Sequence, residues 1–125
     1  MPSLRRAMAT QDAEGKVISI QSIDASVNWL RDNADAAAKA RADREYLEQY
    51  TKVLKATIMR ENPSLSLGAQ EATAYADQRY LTHLEGLKAA IEQDEKLRWL
   101  RVAAEARISA WQSMNANERA LGKVI

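Results

Sequence analysis

QRYLTHLEGLKAAIEQDEKLRWLRVAAEARISAWQSMNANERAL, Gln78 to Leu121, decides how this chain folds. It holds no proline and one glycine, Gly86. Ala, Leu, Glu, Lys, Arg and Gln fill most of it, and these residues lose least on entering a helix. An unbroken helix of ~40 residues is roughly 60 Å long at 1.5 Å per residue. No domain of 125 residues encloses such a rod, so it must lie along a second rod, from this chain or another.

Upstream, Asn62-Pro63-Ser64 marks the end of that second rod, because the residue before proline is pushed out of the helical region. The rod is expected from Ser22 or Asp24, either of which can cap a first turn, to about Glu61. Its apolar positions are Ile23, Val27, Leu30, Ala34 and Ala37, then Leu47, Tyr50, Leu54 and Ile58. Steps of three and four within each set predict a coiled-coil-like seam. Arg41 and Arg44 interrupt it, as a stutter would. Between the rods, Ser66 can cap a short connecting helix containing Leu67, Ala69, Ala72, Ala74 and Tyr75, which Gly68 weakens.

The last rod repeats the pattern with Leu81, Leu84, Leu87 and Ile91, then Leu97, Leu100, Ala104, Ile108 and Trp111. Asp94 and Glu95 interrupt it, and Gly122 is expected to stop it. If the rods fold back antiparallel around the connector, facing residue numbers add to roughly 140. The two interruptions then meet, Arg41 and Arg44 against Asp94 and Glu95 in a polar layer that fixes register. The same register sets Trp29 beside Trp111. The expected fold is all-α: an antiparallel hairpin of two long helices with a short connecting helix, over residues 22–125, assembling into a helical bundle. Residues 1–21 are expected to form an N-terminal arm with a basic start at Arg5 and Arg6.

Composition narrows the function. A net charge of +1 gives no bulk attraction to nucleic acid or an anionic membrane. There is no Cys, hence no disulfide, thiolate metal site or Cys nucleophile. No apolar run approaches the ~20 residues that span a bilayer. Leu4 to Thr10, broken by Arg5 and Arg6, is too short for the apolar core of a secretion signal. These features predict a soluble cytoplasmic protein with no membrane partner.

Chemistry-bearing patterns are sparse. His83 is the single histidine, and no Glu-x-x-His accompanies it, so a solvated or hairpin-end histidine is the ordinary reading. Glu92, Asp94 and Glu95, with Asp43, Glu45 and Glu48, have arginines nearby and read as ion-paired surface. The four glycines are scattered and make no phosphate loop. No catalytic residue, cofactor site or metal site is expected, and the chain is not read as an enzyme.

An interaction surface is expected instead. A two-helix hairpin leaves apolar surface uncovered, which predicts self-association, most simply a homodimer, or a protein partner that supplies further helices. Candidate contact residues are Tyr46 and Tyr50 on the first rod, Trp99 with Arg98 and Arg101 on the last, and Arg5 and Arg6. Arginines interleaved with tryptophan also suit a nucleic-acid strip, with the indole stacking on unpaired bases.

The last rod resembles small helical proteins of tailed bacteriophages and prophages, often encoded near DNA-recombination genes. The likeness lies in Tyr80-Leu-Thr-His-Leu-Glu-Gly-Leu-Lys-Ala-Ala-Ile91, Leu97-Arg-Trp-Leu100, Ala106-Arg-Ile-Ser-Ala-Trp111 and Ala116-Asn-Glu-Arg119. It spans roughly Glu45 to Arg119 and carries no catalytic residue. It implies a non-enzymatic accessory or inhibitor protein that binds a host or phage protein of nucleic-acid metabolism or defence. The alternative readings are direct DNA or RNA binding in phage recombination and a structural part in phage assembly.

Overall fold

The computed structural model describes residues 19–124. They form four α-helices: α1 (Ile20–Asp32), α2 (Ala34–Arg60), α3 (Leu67–Ala76) and α4 (Gln78–Val124). The fold is all-α, with two long helices and a short one between them. The described residues fall into two compact units: Ala36–Leu97, and 19–35 together with 98–124. Of the expected arm, residues 19–21 open α1 and the rest, with Arg5 and Arg6, lies outside the described residues.

In the first unit α2 and α4 run antiparallel. Going up α2, Arg44 meets Asp94, Thr51 meets His83, and Glu61 meets Arg79. Residues of α2 on the inner face step by three and four: Ala40, Arg44, Leu47, Thr51, Leu54 and Ile58 are all buried or half-buried. On α4 the matching face is His83, Leu87, Ala90, Asp94 and Leu97. The periodicity is the expected one, and Leu47, Leu54, Ile58, Leu87 and Leu97 stand in the seam as expected, but other expected members do not. Leu81 and Leu84 stand 45% and 39% exposed, on the flank. The seam is not interrupted at Asp94; Asp94 is one of its members, 8% exposed. A polar side chain can hold a seam position when a partner across the seam satisfies it, so the unbroken 3–4 spacing is visible only when polar residues are counted.

The connector is the most tightly built part. α2 ends where the Asn62 side-chain amide donates to the Ile58 carbonyl at 2.9 Å and Pro63 follows. Ser66 caps α3 by accepting from the Ala69 N–H at 3.3 Å. Asp77 alone links α3 to α4, and its Oδ1 accepts from the Arg79 N–H at 2.7 Å, capping α4. Beneath these caps Leu54, Ile58 and Ala74 form a cluster with Met59 and Tyr80 packed against it.

In the second unit α1 packs on the part of α4 beyond Leu97. α1 starts earlier than expected, because Ser19 rather than Ser22 or Asp24 caps it, accepting from the Ser22 N–H at 3.1 Å. Its inner face carries Ile23 and Ser26; Val27, expected in the seam, is 47% exposed. On α4, Ala104 is buried, Ile108 and Trp111 are half-buried, and Leu100 is 42% exposed. Trp29 lies with Ala103, Ala104 and Arg107, not with Trp111, a displacement of roughly two turns at 3.6 residues per turn. One facing total presumes one unbroken first rod. The rod is broken at Asn33, where φ is −106° and ψ is 5°. There the side-chain amide competes for the Trp29 carbonyl that the Asn33 backbone N–H also uses, each at 2.9 Å. Gly122 does not end α4, which continues to Val124.

Candidate functional site

Three polar pairs stand in the seams. Arg44 donates to Asp94 at 3.2 Å, to Glu95 at 3.1 Å and, along its own helix, to Glu48 at 2.9 Å. Glu48 and then Glu95, with Asp94, hold its guanidinium above the ordinary arginine value. Arg41, expected in the same layer, instead donates to Glu45 at 2.8 Å within α2 and is exposed. Position 41 lies about 60° around α2 from position 44, on the flank of the seam, where it feels the Asp94 charge but gives its hydrogen bond to Glu45.

His83 is neither solvated nor at the hairpin end. It is half-buried, 2.7 Å from Thr51 Oγ1 and 5.4 Å, centroid to centroid, from the Tyr50 ring. The Thr51 hydroxyl also lies 3.0 Å from the Leu47 carbonyl, so it ties His83 Nε2 to the α2 backbone. In the second unit Arg107 donates to Ser26, a buried hydroxyl, at 3.4 Å. Sequence reasoning missed both pairs. A hydroxyl residue at a 3–4 step from apolar seam positions is the signal that marks Ser26 and Thr51.

The connector carries its own charge cluster. Lys55 reaches Glu71 at 3.0 Å and the Tyr75 hydroxyl at 2.8 Å, and its ammonium sits 4.8 Å from the Tyr75 ring centroid. Arg79 bridges Glu61 and Asp77. Arg79 holds the Glu61 carboxyl below its ordinary range, and holds Asp77 low through both side chain and backbone N–H. Lys55, then Tyr75, lowers Glu71 in the same way. Every member has a partner, which is how a structural brace looks. Among the described residues no group of three His, Cys, Asp or Glu is placed to hold a metal ion. No helix among them is long and apolar enough to cross a membrane.

The expected contact residues fall on two separate surfaces. On α4 beyond Leu97, Trp99 is 61% exposed, and Val102 and Ala106 follow it at the three- and seven-residue steps of one helix face. At about 100° per residue this row points away from Ala104 and Ile108. The next row along the helix surface is Arg98, Arg101 and Glu105. The Arg98 guanidinium sits 5.3 Å from the Trp99 ring centroid, and Arg101 is 3.8 Å from Glu105. On α2, Tyr46 and Tyr50 are exposed and stacked, with centroids 6.2 Å apart and planes at 15°.

The unit that holds α1 also has a groove of about 440 Å³ between small side chains, Ser22, Ala25 and Ala103 among them, walled by Trp29. Set beside known proteins, the chain matches no family model, no curated protein and no solved structure.

Proposed function

We propose that this protein works by contact rather than catalysis, and that the Trp99 row of α4 is where it docks on another protein. The observation that carries this is a tryptophan 61% exposed on the helix face opposite the seam, continued by Val102 and rimmed by Arg98 and Arg101. A large rigid indole with neighbouring guanidinium groups is the composition of a binding hot spot, and its cationic rim suits an acidic protein surface. The involvement of His83 with Thr51, and of the carboxylates with Arg and Lys, supports a scaffold in which titratable groups brace the fold. The likeness of the last helix to small phage proteins favours a partner in nucleic-acid metabolism or defence, with this chain as accessory or inhibitor.

A second reading is favoured by one observation. Arg98 over Trp99 also matches a platform for an unpaired base with a phosphate beside it. A photo-crosslinking residue at position 99, used in cells that express the chain, separates the two. The protein reading expects one acidic protein in the adduct, lost when Arg98→Glu and Arg101→Glu are added. Adducts with nucleic acid, together with salt-dependent binding of a labelled single-stranded oligonucleotide that Arg98→Ala plus Arg101→Ala abolishes, overturn it.

A further inference from the structure

We propose that a second copy of this chain docks on α2 along Tyr46, Tyr50, Val53 and Thr57, antiparallel, with Asp43 of each copy against Arg60 of the other. The four positions step by four, three and four, so they form one stripe on the helix. All are exposed, Tyr46 at 67% and Val53 at 55%. The stripe lies about 100° around α2 from the Leu54–Ile58 seam, at 100° per residue, which is where the next helix of a bundle would lie. The Thr57 hydroxyl is satisfied by the Val53 carbonyl at 2.8 Å, so Thr57 contributes its methyl. The stripe continues into a shallow cleft of about 410 Å³ lined by Tyr50, Leu54, Thr82 and His83.

Charge selects the occupant. Asp43 borders the stripe at one end and Arg60 at the other. Asp43 pairs only along its own helix, with Lys39 at 2.6 Å, and Arg60 has no ion-pair partner among the described residues. A two-fold axis beside residues 51 and 52 sets Tyr50 against Val53 and Tyr46 against Thr57 of the second copy. The same axis brings Asp43 onto Arg60 twice. A self-complementary face of this kind is what an isologous dimer requires. Parallel, in-register pairing would set Asp43 on Asp43 and Arg60 on Arg60. The Trp99 row takes no part, so this inference and the proposed function stand or fall separately.

Sedimentation equilibrium of the full chain tests it. The unaltered chain should dimerise, and Val53→Glu should give a monomer with unchanged helical circular dichroism, since Val53 is outside the hairpin seam. Asp43→Arg and Arg60→Asp should each raise the dissociation constant about tenfold, because like charges then face each other twice. An equimolar mixture of those two variant chains should recover the original constant to within about threefold, because every facing pair is again opposite in sign. Trp99→Ala should leave sedimentation unchanged. A monomer at all concentrations, a dimer indifferent to Val53→Glu, or a mixture no tighter than its components would overturn the proposal.

Discussion

The two units close the same kind of seam in different ways. In Ala36–Leu97, helices are tied across the seam and around the turn by Arg44, Thr51, Lys55 and Arg79, and Ile58 and Ala74 are almost wholly enclosed at 1% and 0% exposure. In the unit that holds α1, the polar contact across the seam is Ser26 with Arg107, at 3.4 Å, and small side chains leave a groove beside it. The lesson is that 3–4 periodicity brings two helices together but does not by itself make a core. What makes the first unit firm is a third element, α3, laid over the turn.

The largest effect should come from the enclosed centre. Ile58→Ala removes the most buried large side chain and should cost about 3 kcal/mol in urea denaturation. Ser26→Ala, in the other unit, should cost under about 1 kcal/mol, because the half-exposed Arg107 can turn to water. Equal losses would erase the contrast between the units.

The next effect separates two arginines that look alike in the sequence. Arg44→Met leaves Asp94 in the seam without its cation and should lower the thermal midpoint clearly. Arg41→Met removes an exposed contact with Glu45 and a lesser charge attraction to Asp94, and should lower the midpoint far less. If the two variants melt alike, position 94 is not held as the geometry has it.

The smallest effect is in acid. Glu61, Glu71 and Asp77 bind protons less readily in the folded chain than in the unfolded one. Their stabilisation is complete above the ordinary carboxylate range and is lost as pH falls through their lowered values, because the unfolded chain takes up its protons first. Arg79→Gln removes the main cause for Glu61 and Asp77. Its urea midpoint should therefore fall less than that of the unaltered chain between about pH 5 and pH 2. A parallel decline would show that Arg79 does not hold these carboxylates.

Much of this was readable from residues alone. Pro63 marked the turn, Ser66 the cap of the connecting helix, and the Arg44 region its acidic counterpart on the last helix. The inner face was readable in part: Leu47, Leu54, Ile58, Leu87 and Leu97 stand in it as expected, but its polar members carry no apolar signal. Leu81, Leu84, Leu100 and Val27 keep helical spacing on a flank, while Ser26, Thr51, His83 and Asp94 sit inside because each has a mate across the seam. The break falls at Asn33, whose side-chain amide reaches the Trp29 carbonyl, a contact that no spacing reveals. Of the contact residues, Trp99, Tyr46 and Tyr50 were legible as amphipathic rings on rods too thin to cover them, but what meets them is a matter of partner chemistry.

Asp77 is a one-residue joint, and a joint that short has no slack. Inserting a single residue beside it would lengthen the link by roughly 3.5 Å and loosen the hold that keeps Ala74 in the cluster with Leu54 and Ile58. The loop 61–66, by contrast, ends in caps at both sides and can lengthen at little entropic cost. Length variation near the bend should therefore gather on one side of the connecting helix and avoid the other.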